Sequence, residues 1–146
     1  QTFVPIQDYQ IDHYKNRFLK YINPGFIKCV TDENDELVAF AITMPSFSNA
    51  LKKINGKVDL IGKLRLLHAK NFNHKGSLYL IGVRPDFQNK GVIAILFNEL
   101  QKFYNKFGIT EVETNPELIE NTAIQQLWKN YENNQHKNRA TFTKEI

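Results

Sequence analysis

The sequence holds one cysteine, Cys29, and therefore has no partner for an internal disulfide and no thiolate pair for a metal. A reducing, cytoplasmic setting suits such a chain, and Cys29 reads as a buried strand residue. Long apolar runs are missing as well. Nothing approaches the roughly 18 residues of a membrane span, and Gln1 to Gln10 lacks the basic start and apolar stretch of a signal peptide. No membrane partner is expected. There is no Gly-x-Ser-x-Gly nucleophile turn and no Gly-rich Lys-Ser/Thr loop, which argues against a serine hydrolase and a nucleotide hydrolase. The four histidines, His13, His68, His74 and His136, stand without ligand spacing, so no metal is expected.

What is present fits one domain spanning residues 1–146. The net charge of +4 favours anionic partners without selecting among them. Basic residues are spread along the chain, with one cluster at His136, Lys137 and Arg139 near its end. Ile11, Tyr14, Phe18 and Ile22 recur at helical spacing after Asp8, a candidate N-cap, and Pro24-Gly25 ends that segment. Phe26–Thr31 and Glu36–Met44 are β-rich and flank a polar turn, which predicts an antiparallel hairpin closed by Pro45. Between Ser48 and Lys70 two short helical pieces are expected, interrupted at Gly56 and Gly62. Ser77–Val83 is a near-continuous apolar run and predicts a central strand buried on both faces. Ile93, Leu96, Phe97, Leu100, Phe103, Tyr104 and Phe107 then form one helical face before a left-handed stop at Gly108. A strand over Ile109–Thr114, a helix capped by Asn121 or Thr122 and running to Tyr131, and a last strand over Arg139–Glu145 complete the order. The fold class is α/β (α+β): a mixed, mostly antiparallel sheet with helices on both faces.

The most informative stretch is Leu78 to Val92, where an apolar strand passes through Pro85 into Gln88-x-x-Gly91 and opens a helix. A helix start leaves its first N–H groups without internal partners and carries partial positive charge, so it can receive a phosphate without a charged side chain. A pyrophosphate-bearing cofactor is the ligand this junction suggests.

That element order, together with VRPDFQNKGV at the junction, resembles the GNAT acyltransferase superfamily over nearly the whole chain. Gln88 and Gly91 match the family signature of Gln or Arg, two residues and Gly, while Ile93 occupies the position usually held by Gly or Ala. The junction and Glu113 to Leu118 also look like the C-terminal part of larger bacterial GNAT-type proteins, which implies a missing upstream region and a partner domain within the same protein.

The resemblance implies acetyl-CoA, or another acyl-CoA, as cofactor. The backbone N–H groups of Gln88, Asn89, Lys90, Gly91, Val92 and Ile93 would hold its pyrophosphate, Ile81, Gly82 and Val83 would line the pantetheine arm, and the Val83 N–H would face the thioester carbonyl. Gly82 would suit a bulge where strands splay apart; Lys90 and Arg84 would add positive charge. Asn121 aligns with an Asn of the family's last helix, which puts Trp128 where that family often has a tyrosine acid. An indole cannot donate a proton at neutral pH, so Tyr131 is the substitute acid. Glu111 and Glu113 share one side of their strand, and Glu113, nearer its C-terminal end, is the candidate base; Glu117 is a loop alternative.

The function implied is direct transfer of an acyl group, acetyl by preference, to a small-molecule or peptide amine. The alternative is a catalytically silent GNAT-like binding or structural module of a larger protein. A nucleic-acid partner is not expected, since no recognition helix or RNA platform accompanies the charge.

Overall fold

The computed structural model describes residues 6–17, 23–56 and 58–144. The chain divides into two compact units, Gln1–Glu113 and Thr114–Ile146.

In the first unit a helix α1 (Asp8–Arg17) is followed by strands β1 (Ile27–Thr31) and β2 (Leu37–Pro45), helices α2 (Ser48–Ile54) and α3 (Leu60–Asn71), strand β3 (Lys75–Val83), helix α4 (Val92–Phe107) and strand β4 (Glu111–Thr114). The strands form one sheet in the order β1-β2-β3-β4, with β1/β2 and β2/β3 antiparallel. The Thr110 and Glu111 amides donate to the His74 carbonyl, at 2.9 and 3.2 Å, so the starts of β4 and β3 lie side by side. This mixed α/β fold is the one the alternation of patterns predicts.

β2 is the central strand. Val38 and Ala39 point to opposite faces by the period-two rule, and both are buried, so each face of β2 is covered. On one side α4 presents Val92, Leu96, Leu100 and Tyr104, at helical spacing and all buried, and packs against β1 and β2. Burial pushes the pKa of the Tyr104 hydroxyl up, against a smaller opposing effect of the neighbouring Thr43 side chain. Gly108 closes α4 in the left-handed conformation, as its position predicts. The hairpin turn between β1 and β2 is held by Asp32, whose Oδ1 accepts the amides of Asn34 and Glu36 at 2.9 and 3.1 Å.

Several expectations are corrected. Asp8 is the first helical residue of α1, and the Gln7 amide is satisfied by the Gln10 side chain instead. Ile11 and Tyr14 are exposed, while Phe18 and Ile22 lie outside the described residues. Cys29 is exposed because β1 is an edge strand of half-buried pattern. Gly62 does not interrupt a helix; it lies inside α3, where its amide donates to the capping Asp59 carboxylate at 2.7 Å. β3 is not buried throughout: Leu78 is buried, but Tyr79 and Leu80 are exposed and Ile81 to Val83 are half-buried.

The second unit contains helix α5 (Thr122–Trp128). The expected strand over Arg139–Glu145 is corrected too: residues 139–144 carry no regular secondary structure and are exposed, and Glu145 lies outside the described residues. With charged and polar side chains at most of its positions, that segment has too little apolar surface to fix a strand by burial.

Candidate active site

β3 delivers the chain to the junction. In the β2/β3 ladder Val83 lies opposite Ala39, and the Arg84 amide donates to the Val38 carbonyl at 2.8 Å. In an antiparallel ladder that bond makes Val83 and Ala39 a non-hydrogen-bonded pair, so the Val83 N–H points away from β2. The same alternation turns the Ile81 N–H outward and engages Gly82 with Phe40. β3 has nine residues and β4 four, so the far half of β3 outruns β4 and keeps this backbone edge. Ile81 and Val83, both half-buried, thus turn their amides away from β2 beyond the reach of β4.

Gly82 does not sit at a bulge. The register shift in this pair falls between Ile42 and Thr43, opposite Leu80 and Leu78, which leaves Tyr79 as the extra residue. At Gly82 a Cβ would stand 2.7 Å from the Phe40 ring, so the glycine makes room for that ring across the ladder.

Beyond β3, Pro85–Phe87 forms a single 3₁₀ turn, Gln88 is extended, and Asn89 and Gly91 adopt positive φ of 60° and 77° before α4 begins. The Gln88 amide folds back onto the Pro85 carbonyl at 3.3 Å, which removes it from the set of donors expected at this turn. The first amides of the α4 ladder are those of Ala94 and Ile95, which donate to the Gly91 carbonyl. The N–H groups of Asn89, Lys90, Gly91, Val92 and Ile93, within a tight turn, make no hydrogen bond of ordinary geometry to a described residue. A left-handed residue followed by a right-handed one, as at Gly91 and Val92, turns successive amides toward a common point and makes an anion-binding concavity. Combined with the start of a 16-residue helix, it has the backbone geometry that attracts an anionic group.

Arg84 is not the free cation that its position suggests. Its Nε donates to Asp86 Oδ1 at 2.9 Å, its Nη1 to Glu36 Oε2 at 3.1 Å, and its Nη2 to Asp32 Oδ2 at 3.4 Å. The Asp86 bond raises the Arg84 pKa, and Arg84 in turn holds Asp86 below the usual carboxylate value. Burial pushes the Asp32 carboxyl up, but the amides of Asn34 and Glu36 together with Arg84 outweigh it and hold Asp32 low. The guanidinium also lies 4.6 Å from the centroid of Phe87, with the Lys90 ammonium 5.1 Å from the same ring. Arg84 thus ties the β1–β2 turn to the entrance of the amide loop. Its two-residue spacing from Asp86 is visible in the sequence; its reach to Asp32 and Glu36 is not.

Of the candidate acids and bases, Glu113 is half-buried near the end of β4, while Glu111 is exposed and ion-paired with Lys75 at 2.5 Å. In the second unit Asn121 holds the N-cap position of α5, but its side chain caps nothing and is exposed. α5 ends at Trp128, so Tyr131 follows the helix instead of extending its face. The two rings still meet edge to face at 6.3 Å. Glu117 accepts the Trp128 indole N–H at 2.8 Å, which fixes the ring and occupies the loop carboxylate. At the far end of α4 a cavity of about 90 Å³, lined by Phe26, Thr43, Met44 and Phe107 among others, is too small for a cofactor and distant along the helix from the amides.

The model of the Acetyltransferase (GNAT) family matches residues 3–131. The chain belongs to the GNAT acetyltransferase family. Solved structures share the GNAT fold with it at low identity. Aminoglycoside 6'-N-acetyltransferase AAC(6')-IG from Acinetobacter haemolyticus is 15% identical with a TM-score of 0.57, over 97% of this chain and 85% of that one. AAC(6')-Ih from Acinetobacter baumannii is 12% identical with a TM-score of 0.55, over 99% and 84%. AAC(6')-Iy, solved in complex with the bisubstrate analogue CoA-S-monomethyl-acetylneamine, is 16% identical with a TM-score of 0.50, over 82% and 69%. Among curated protein sequences none matches. Among the described residues of this GNAT chain, no helix is long and apolar enough to cross a membrane.

Proposed function

We propose that this GNAT chain is an acyl-CoA-dependent N-acyltransferase that passes an acetyl group directly to the amine of a small molecule or peptide in the cytoplasm. The observation that carries the reading is the run of amides from Asn89 to Ile93, without hydrogen bonds of ordinary geometry among the described residues, at the start of α4. Those amides would hold the diphosphate of acetyl-CoA, and the outward edge of Ile81 and Val83 would receive the pantetheine arm. When bound, the cofactor supplies an activated acyl carbonyl. The Val83 N–H is then the preplaced donor that stabilises negative charge developing on that carbonyl oxygen. Glu113 takes the proton of the attacking amine, directly or through water, and Tyr131 donates one to the departing thiolate. Asn121 is assigned to cofactor binding on the family resemblance alone.

A second reading, a silent GNAT-like module, draws on one specific observation: the residue where the family often has its tyrosine acid is Trp128, with its indole locked onto Glu117. Calorimetric titration with acetyl-CoA, followed by thiol release in the presence of a panel of amines, separates the two. Binding in the micromolar range together with amine-dependent release supports the enzyme. Binding without release under any acceptor, or no binding at all, favours the module, and absence of binding also removes the amide loop as a cofactor site.

A further inference from the structure

Helix α3 turns a second apolar side outward. Gly62 and Ala69 are buried and Leu66 is half-buried, which defines its inward side. At 3.6 residues per turn, Leu60, Leu64, Leu67 and, at the helix end, Asn71 fall on the opposite side, and the three leucines are 75%, 59% and 56% exposed. Lys63 and Lys70 flank this ridge on one shoulder, Arg65 and His68 on the other, all exposed. Phe72, exposed just past the helix, stacks on His68 at 5.3 Å between ring centroids on that second shoulder. The Arg65 guanidinium donates to the Lys53 carbonyl at 2.9 Å and ties α3 to the end of α2, whose Lys52 and Lys53 are also exposed.

Charge is concentrated here. Residues 48–72 carry six of the 19 lysines and arginines but only one of the 15 carboxylates, leaving 13 basic against 14 acidic residues in the remainder. The one carboxylate, Asp59, is engaged in capping α3. None of Lys52, Lys53, Lys63, Arg65 or Lys70 makes an ion pair among the described residues.

We propose that α2 and α3 form a docking surface for an anionic lipid bilayer. An aliphatic ridge between cationic shoulders is the pattern of a helix lying in a membrane interface, where the ridge enters the acyl boundary and the lysine stems carry their ammonium groups to the level of the phosphates. The 12 residues of α3 are far short of a span, so this surface is independent of the missing transmembrane run. A second copy of the chain fits poorly: ridge on ridge brings positive shoulders against positive shoulders in either orientation. Nucleic acid would match the cations but gives the leucines nothing to bury against.

The test is sedimentation of the full 146-residue chain with vesicles, without acyl-CoA, so that it stands or fails separately from acyl transfer. Partitioning into phosphatidylcholine vesicles containing about a third phosphatidylglycerol should exceed that into pure phosphatidylcholine by about tenfold or more, and should fall by at least about fivefold from 0.1 M to about 0.5 M salt. Leu64→Ser with Leu67→Ser, and separately Lys63→Glu with Lys70→Glu, should each reduce it by about tenfold or more with an unchanged melting temperature, since all four side chains are exposed. Equal partitioning into both vesicles, or none, overturns the proposal. So does a dimer that the leucine variant dissociates, or binding confined to DNA or to an acidic protein.

Discussion

Gly91 carries the conformation on which the amide loop depends. Its φ of 77° is one that L side chains rarely adopt, while a Cβ there would meet nothing within 4 Å, so the obstacle to substitution is conformational and not steric. Gly91→Ala should cost about 1 kcal/mol of stability. It should also weaken acetyl-CoA binding by about tenfold as the concavity opens. Gly56 offers the control, since it has a φ of 78° with equally open surroundings but lies in the connection between α2 and α3. Gly56→Ala should lose similar stability in denaturant titration and leave calorimetric acetyl-CoA affinity unchanged; equal losses of affinity would remove the loop from the site. For the proton transfers, Glu113→Gln should lower kcat by about 10²-fold or more, leave KM for acetyl-CoA within about twofold, and remove the acidic limb of the pH-rate profile. Tyr131→Phe should act on kcat alone. A Glu113→Gln enzyme with a normal profile assigns the base elsewhere, to water or to the acceptor.

Among the elements, the β1–β2 turn is the one that links stability to pH. Asp32 is held below the ordinary carboxylate value by two amides and Arg84, so it binds its proton less readily folded than unfolded. Its contribution is therefore present above the unfolded value near pH 4 and lost as pH falls through the lower folded value. Asp86, held low by the same guanidinium, adds in the same direction. Denaturant midpoints measured from about pH 5 to about pH 3 should fall more steeply in the wild type than in Asp32→Asn, which has no such carboxylate to protonate. Parallel curves would show that the turn contributes nothing specific to the acid limb. Much at this scale was legible in advance. The β1–β2 hairpin, the α4 face and the Gly108 stop follow from period and turn chemistry, because their stabilising contacts are local or repeat along one face. The rest depends on neighbours distant in sequence. Gly82 reads as a bulge until Phe40 is set against it; Arg84 reads as a free cation until the turn brings up Asp32 and Glu36. Tyr131 reads as helical because its spacing from Trp128 is right, although α5 stops at Trp128.

At the scale of the molecule, the two anionic ligands proposed differ in what attracts them. The cations look evenly scattered along the sequence because those of residues 48–72 are spaced by leucines, and only the turns of α3 gather them on shoulders around a ridge. Around the amide loop the balance is different: Arg84 is tied to Asp32, Glu36 and Asp86, and Lys90 lies over Phe87. Acetyl-CoA would consequently be gripped by backbone dipoles at short range, where salt screens little, whereas a bilayer would be drawn by exposed charges across a Debye length. Between about 0.1 M and about 0.5 M salt, acetyl-CoA affinity should change by less than about threefold, and Lys90→Ala should cost no more than about fivefold. A tenfold loss in either measurement would mean that side-chain charge, not the amides of Asn89 to Ile93, holds the diphosphate. In that event the fold would stand unchanged, and the search for the cofactor's anchor would move to the lysines of α2 and α3.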